Sequence, residues 1–270
     1  MTRRSFAGAT VVISGAASGL GRALALRFGR TGARVVALDL DAAALELLRH
    51  EMGAAGLEVL TLPCDVTDEQ ACTTAIATAV HRLGRIDAVI NNAGISHRSP
   101  FEATATAVLR RVMEVNLFGA IHLTRPALPS LRQSRGLIVA ISSVAGYTPL
   151  IARTGYAASK HAVHGFFESL RTEVAADGID VMLVCPSFIA TGIDRNALGP
   201  DGRPVRHAQV VVGRQLQPDA VAARIFHGCE RSERLLLIGR TARAAWWVSR
   251  LAPSVYERIM ARKLRGELVA

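Results

Sequence analysis

The sequence predicts an α/β protein: a doubly wound sheet of seven parallel strands with helices on both faces. Three observations carry that expectation. Short runs rich in β-branched residues alternate along the chain with longer stretches whose apolar residues recur every three or four positions. The strand runs are apolar at nearly every position, as a sheet covered by helices on both sides requires. The first strand run ends in a glycine-rich turn that opens a helix.

Taken in order, the first strand is Thr10–Ser14, and a helix over Leu20–Thr31 follows its turn. Arg34–Asp39 and Leu57–Leu62 are the next strands, each followed by a helix, Ala42–Met52 and Glu69–Leu83. The remaining strands are Ile86–Asn91, Gly136–Ser142, Ile179–Cys185 and Leu235–Ile238, with helices over Ala107–Leu131 and Ala157–Ala176. Gly32, Gly53, Gly84, Gly178 and Gly239 follow or separate these elements, where helix ends and turns favour glycine. No repeat or low-complexity linker breaks the rhythm, so residues 1–270 are expected to form one domain. Two regions depart from it. Residues 190–215 hold the dense turn signal Gly199-Pro200-Asp201-Gly202-Arg203-Pro204, with helical flanks that have no clear phase. Residues 241–265 carry Trp246, Trp247, Leu251, Val255, Ile259 and Leu264 roughly in one helical phase, and Pro253 predicts a kink or two short helices.

Composition narrows the function classes. The 270 residues are 50% apolar and 20% charged, which excludes a disordered chain. No apolar run approaches the length of a membrane span. Cys64, Cys72, Cys185 and Cys229 show no CxxC pair and read as reduced packing residues. Thr2-Arg3-Arg4-Ser5-Phe6 resembles a twin-arginine export signal, but cleavage after it would remove the first strand, so a cytoplasmic protein is expected. The net charge of +10 is concentrated in residues 231–270, where nine Lys and Arg face three Glu. That is a tail property and not the basic, aromatic-studded stripe of a nucleic-acid reader. Only two of the 32 basic residues are lysine, Lys160 and Lys263, so a lysine here needs a reason.

Two constellations carry chemistry. In Ser14-Gly15-Ala16-Ala17-Ser18-Gly19-Leu20-Gly21 the glycines let backbone approach a pyrophosphate, and the helix start offers unpaired N–H groups. Asp39, at the end of the second strand, suits the adenosine ribose hydroxyls and repels a 2′-phosphate, so NAD is expected over NADP. Asp39 could instead cap the following helix, a place that Asp41 fills equally well. The second constellation is Tyr156-Ala-Ala-Ser-Lys160, which sets a phenol and an ammonium side by side on one helix face. The cation favours phenolate and so prepares a general base for an alcohol.

In this order the motifs resemble the short-chain dehydrogenase/reductase family, in its single-domain branch with a Rossmann-type fold, over roughly Ala7 to Gly239. The matching residues are Gly15, Gly19 and Gly21; Asp65-Val66; Asn91-Asn92-Ala93-Gly94; Asn116; Ser142-Ser143; Tyr156 with Lys160; and Pro186 followed by Thr191. The resemblance implies Tyr156 as general acid/base, with Lys160 lowering its pKa and binding the nicotinamide ribose. It implies that Ser143, 13 residues before Tyr156, bonds the substrate oxygen, Ser142 being one residue off, and that Asn116 supports a water in a proton relay. It assigns the adenine to Asp65 and Val66, places Asn91 along the cofactor, and gives the carboxamide to Ile189 and Thr191. Ser18, Leu20, Ala93, Gly94 and Pro186 complete the implied cofactor contacts. One departure is Ser187, where the family usually has glycine after the proline; it puts the local loop shape in question.

The expected reaction is reversible hydride transfer between NAD and a secondary alcohol/ketone pair. The apolar pocket candidates Ile95, Val144, Tyr147, Ile151, Phe188 and Ile189 point to a lipophilic substrate. Two alternatives stay open: an NADPH-dependent 3-oxoacyl thioester reductase, and a non-catalytic NAD-binding regulator. No metal is expected, although His161 and His164 share a helix face. The stretch 241–265 could touch an anionic membrane, cover the substrate mouth or contact another subunit. Arg195, Arg203, Arg206 and Arg214 could meet a charged substrate handle or simply be solvated. The resemblance also implies a homo-oligomer, a tetramer or dimer, through the helices over Ala107–Leu131 and Ala157–Ala176.

Overall fold

The computed structural model describes residues 3–193, 196–205 and 210–268. Strands β1 (Thr10–Ser14), β2 (Arg34–Asp39), β3 (Val59–Pro63), β4 (Ala88–Asn91), β5 (Leu137–Ile141), β6 (Asp180–Pro186) and β7 (Leu235–Ile238) form one sheet. Its order is β3-β2-β1-β4-β5-β6-β7 and every pairing is parallel, the Rossmann-type doubly wound arrangement that the sequence predicts. The order reverses between β1 and β4, so a crevice opens beyond the carboxyl ends of those strands. β1, β4 and β5 are buried at every position, which is why their sequences lack the alternation of a half-exposed strand. The ends of β3 to β6 move by one or two residues from their predicted places.

Helices α1 (Gly19–Gly29), α2 (Ala42–Ala54) and α7 (Pro218–Glu230) cover one face, burying Leu24, Phe28, Leu45, Leu48 and Ile225. Helices α3 (Glu69–Leu83), α5 (Gly119–Ser134) and α6 (Thr154–Glu173) cover the other with Ile76, Leu123, Leu131 and Phe167. α7 is absent from the elements predicted above, although Pro218 in its first turn and the spacing of Val221, Ala222, Ile225 and Cys229 are helix signals. Gly53 lies inside α2 and not at its end.

The single helix expected over Ala107–Leu131 is two. α4 (Thr106–Met113) runs into a π-turn over Glu114–Phe118 and continues as α5. Such a turn widens the helix locally and is frequent at functional sites; Asn116 sits inside it. Arg4 is built into the fold, donating to the Asp180 carboxylate at 2.8 Å and the Arg135 carbonyl at 3.0 Å.

Pro253 divides the C-terminal stretch into α8 (Arg240–Leu251) and α9 (Pro253–Lys263), standing in the first turn of α9 where its missing N–H costs nothing. Both helices fold back over the crevice. Ala245, Tyr256, Met260 and Leu264 form a separate apolar cluster with Val144, Leu150, Val210 and Val212. Beneath it Glu267 is buried between two guanidiniums, 3.1 Å from Arg98 and 4.0 Å from Arg153, and accepts the Val210 N–H at 2.6 Å.

Candidate active site

The crevice is a cleft of about 560 Å³ floored by the turn after β1 and walled by the ends of β4, β5 and β6. Close packing explains the glycines of that turn. A Cβ on Gly21 would stand 1.8 Å from the Gly15 carbonyl oxygen, and one on Gly15 would stand 2.9 Å from Ala93 Cα. The turn therefore lies against the loop after β4. Ser14 Oγ accepts the N–H groups of Asn92 and Ala93, both at 3.1 Å, and Asn92 Nδ2 donates to the Ser14 carbonyl at 2.9 Å. Ser18 precedes α1 without spending its hydroxyl on capping, and Gly15, Ser18, Gly19 and Leu20 all line the cleft. Gly21 does not line it; it is the packing position that lets the turn close.

Asp39 borders the cleft at the end of β2, where its carboxylate accepts the Ala17 N–H at 2.9 Å and the Asp41 N–H at 3.1 Å. Asp41 is the residue that caps α2, accepting from Ala44 at 3.0 Å, so the capping alternative for Asp39 falls away. Leu40 beside it is 66% exposed. Farther along, Asp65 accepts both the N–H and the hydroxyl of Thr67, at 2.9 and 2.8 Å. Burial pushes its carboxyl up, but those two bonds and the Arg111 charge outweigh it and hold the group below the usual carboxylate range. Val66 lines the cleft next to it and packs on Gly119.

Asn91 departs from its expected place along the cofactor. It is the last residue of β4, and its side chain points into the α5 side, where it is buried and donates to Thr124 Oγ1 at 2.8 Å. Alternation along a strand sends neighbouring side chains to opposite faces, and it is Asn92, with Ala93 and Gly94, that borders the cleft.

Tyr156 is the third residue of α6, half-buried and on the cleft wall. One turn on, the Lys160 ammonium stands 5.8 Å from the centre of the Tyr156 ring and donates to the Ile141 carbonyl at 2.8 Å. Burial disfavours the charged form and pushes this ammonium down to about 8. Asn116, from the π-turn, accepts the Ile95 N–H at 2.8 Å and donates to the Ile95 carbonyl at 3.0 Å and Ser159 Oγ at 2.8 Å. A Cβ on Gly94 would lie 3.1 Å from Asn116 Oδ1 and 3.5 Å from Lys160 Nζ, so the glycine backbone packs closely against the corner these groups share.

The two serines after β5 divide their work. Ser142 is buried and donates to the Lys160 carbonyl at 3.4 Å, whereas Ser143 is half-buried on the cleft, accepting the Ala145 N–H at 3.2 Å. Pro186, Ile189 and Thr191 form the wall opposite, with Thr191 against Gly19. Ser187 keeps its backbone out of the left-handed region, and the space for its hydroxymethyl group comes from Gly239, where a Cβ would stand 2.5 Å from Ser187 Oγ. The loop question raised by Ser187 is thereby answered.

Of the apolar pocket candidates, Ile95, Val144, Phe188 and Ile189 line the cleft. Tyr147 and Ile151 do not: Tyr147 donates its hydroxyl to the Ala242 carbonyl at 2.8 Å and stacks edge-on against Trp246 at 4.9 Å, and Ile151 packs in the C-terminal cluster. Residues missed by the sequence reading complete the outer wall. They are Leu150, Arg153 and Val212 with Ala244, Ala245, Val248, Tyr256, Ile259, Met260 and Lys263 from α8 and α9. Periodicity in 241–265 signalled helices, yet nothing local says which distant surface they meet. His161 and His164 diverge, the first exposed and the second buried with its Nε2 3.3 Å from Cys185 Sγ. Arg195 and Arg206 lie outside the described residues, and Arg203 and Arg214 are exposed.

Comparison with known proteins is consistent across the chain. The family model for short chain dehydrogenases matches residues 9–199. A dehydrogenase/reductase SDR family member 7B from Bos taurus is 38% identical over 268 residues, covering 96% of this chain and 82% of its own. A dehydrogenase/reductase SDR family protein 7-like from Anopheles gambiae is also 38% identical, over 96% of this chain and 84% of its own. Among solved structures, a short chain dehydrogenase/reductase from Burkholderia phymatum in complex with NAD superposes with a TM-score of 0.83 at 26% identity, over 93% of this chain and 96% of that one.

Proposed function

The chain belongs to the short-chain dehydrogenase/reductase family and is an oxidoreductase acting on CH–OH groups; from that premise we propose that it oxidises a lipophilic secondary alcohol, or reduces the ketone, with NAD(H) and with Tyr156 as general acid/base. The observation that carries the reading is the Tyr156–Lys160 pair on one face of α6, bordering a cleft whose floor is the glycine turn.

The cleft fits a dinucleotide. Gly15 and Gly19 bring bare backbone to the cleft at the start of α1, where phosphates would be received, Asp39 offers carboxylate oxygens to ribose hydroxyls, and Asp65 and Val66 flank the adenine end. Asp39 without a neighbouring cation supports NAD over NADP, and the structural relative from Burkholderia phymatum holds NAD. Bound NAD supplies the hydride acceptor, or NADH the donor. In the oxidative direction the Tyr156 phenolate takes the alcohol proton while Ser143 Oγ holds the same oxygen. Lys160 favours the phenolate through its charge, and its anchor on Ile141 keeps the ammonium in place. Asn116 serves by positioning, fixing the Ile95 backbone and Ser159 beside Lys160 so that the proton can leave through that corner.

Lipophilic substrates are favoured by the outer wall, where Val144, Leu150, Phe188, Val212, Val248 and Met260 dominate. We place the subunit contacts of a homo-oligomer on the outer faces of α5 and α6, next to Phe118, which is 41% exposed. A panel of secondary alcohols assayed with NAD and NADP in parallel tests the function. Turnover of sterol-like or long-chain alcohols with NAD is expected; turnover of only small polyols, or strict NADP use, contradicts it.

A further inference from the structure

Helices α8 and α9 turn one side to the cleft and present an apolar stripe that runs outward from its mouth. On α8, Trp247 and Leu251 stand four residues apart, 62% and 78% exposed; on α9, Val255 and Ile259 repeat the spacing at 47% and 40%. Five of the ten exposed large apolar residues of the described chain lie between 247 and 268, so the patch is concentrated in this one segment. It is also continuous with the cleft. Ile259 belongs to both, and Ala244 and Val248 carry apolar surface from Leu251 into the mouth.

Cations border the stripe. Arg243 and Arg250 flank Trp247, and Arg258 and Arg262 flank Val255 and Ile259, all exposed. Over residues 240–268 seven exposed cations face one exposed carboxylate, Glu257. A second copy docked symmetrically on this face would set those cations against their own counterparts. An anionic lipid surface satisfies both halves of the pattern, taking the indole and aliphatic tips at the headgroup boundary and pairing the arginines with lipid anions. Among the described residues no helix is long and apolar enough to cross a membrane.

We propose that α8 and α9 dock the enzyme on an anionic membrane, with the cleft mouth turned to the bilayer so that a lipophilic alcohol or ketone enters from the lipid. The docking stands on the exposed residues alone; only the route of entry rests on the lipophilic reading of the substrate.

The test is co-sedimentation of the full chain with phosphatidylglycerol/phosphatidylcholine vesicles and with phosphatidylcholine vesicles alone. Binding to the anionic vesicles is expected, falling about tenfold or more in high salt, on Trp247→Glu with Leu251→Glu, or on Arg258→Gln with Arg262→Gln. An unchanged rise in melting temperature with NAD shows that each variant is folded. Failure of the native chain to sediment with anionic vesicles overturns the proposal, as does equal sedimentation of native and variant chains. A fall in subunit number in the Trp247/Leu251 variant, read by light scattering alongside no vesicle binding, assigns the face to another copy and likewise overturns it. In the native chain, no vesicle binding with normal turnover of a dispersed long-chain alcohol defeats docking only; intact vesicle binding with turnover restricted to polyols defeats the substrate reading and leaves docking supported.

Discussion

The Lys160 ammonium is held by the Ile141 carbonyl at 2.8 Å, so the cation beside Tyr156 is fixed to the end of β5 instead of ranging through solvent. That anchor is buried. A planar guanidinium needs more room and a different bond geometry. Lys160→Arg is therefore expected to fail nearly as badly as Lys160→Met, with kcat/KM for alcohol oxidation down at least about 100-fold in both. Recovery of most activity by the arginine variant, measured in steady state, would show that charge alone suffices.

Removing the phenolic oxygen separates binding from chemistry. Tyr156→Phe keeps the ring on the cleft wall and leaves the glycine turn untouched. The expected outcome is a kcat loss of about 100- to 10,000-fold with the NAD dissociation constant within about threefold of the native value. Calorimetric NAD titration beside single-turnover kinetics reads both. A variant that turns over normally would remove Tyr156 from the chemistry, and a variant without turnover whose NAD binding and cellular role survive intact would make the regulator alternative the better account.

Asp39 tests cofactor choice. Its carboxylate already accepts from Ala17 and Asp41 and has lone pairs left for ribose hydroxyls. Asp39→Ala is expected to lower kcat/KM for NAD by about 10- to 100-fold, the worth of a charge-assisted hydrogen bond. Asp39→Arg is expected to raise use of NADP relative to NAD by more than tenfold. An unaltered NAD/NADP ratio in the arginine variant would remove Asp39 from the specificity argument.

How much of this was legible depends on how local each signal is. The Tyr156–Lys160 pairing follows from helical spacing within five residues, and the glycine turn from its place between strand and helix, so both lie where the sequence puts them. The Asn91 assignment failed by one position because alternation at the end of β4 decides which asparagine faces the cleft, and the strand end is fixed by pairing with β5. The shape near Ser187 depends on Gly239, 52 residues away, and the outer wall depends on where α8 and α9 land. Helical phase showed that those helices have an apolar side, while its partner is a long-range contact that no local pattern encodes.

Two buried histidines give a pH prediction. His97 is pushed down to about 4 by burial, aided by Arg153, and accepts the Gly155 N–H at 2.8 Å, which requires an unprotonated nitrogen. His164 is pushed down to about 4 by burial first and then by His161, Arg250, Lys160 and Arg171. An unfolded histidine takes up its proton near pH 6.5, the folded ones only near 4. Between those values the unfolded chain binds more protons, so stability is full above about 6.5 and falls as pH drops toward 4. The loss is on the order of 3 kcal/mol per histidine. Urea unfolding across this window should show it, and His164→Phe or His97→Gln should each flatten part of the slope; a slope unaffected by either variant would contradict the assignment.

Glu267 fastens the C-terminal wall. Its carboxylate is 99% shielded between Arg98 and Arg153 and accepts from the Val210 backbone, tying the last turn of the chain to the loop after β4 and the start of α6. Deleting one partner of a buried ion pair costs about 3–5 kcal/mol. Because α9 contacts the rest of the fold mainly through one small cluster, the chain can shed the C-terminal segment before unfolding globally, so the loss is expected to appear locally. In Glu267→Gln, amide exchange should accelerate by about 100-fold across 253–268 while the β-sheet core stays protected. With Val248, Ile259 and Met260 loosened, KM for a lipophilic alcohol should rise while kcat changes little, since Tyr156 and Lys160 sit on α6 and β5 contacts that do not involve α9. A kcat defect of equal size, or exchange confined to its native rate, would show that the triad does not hold this wall.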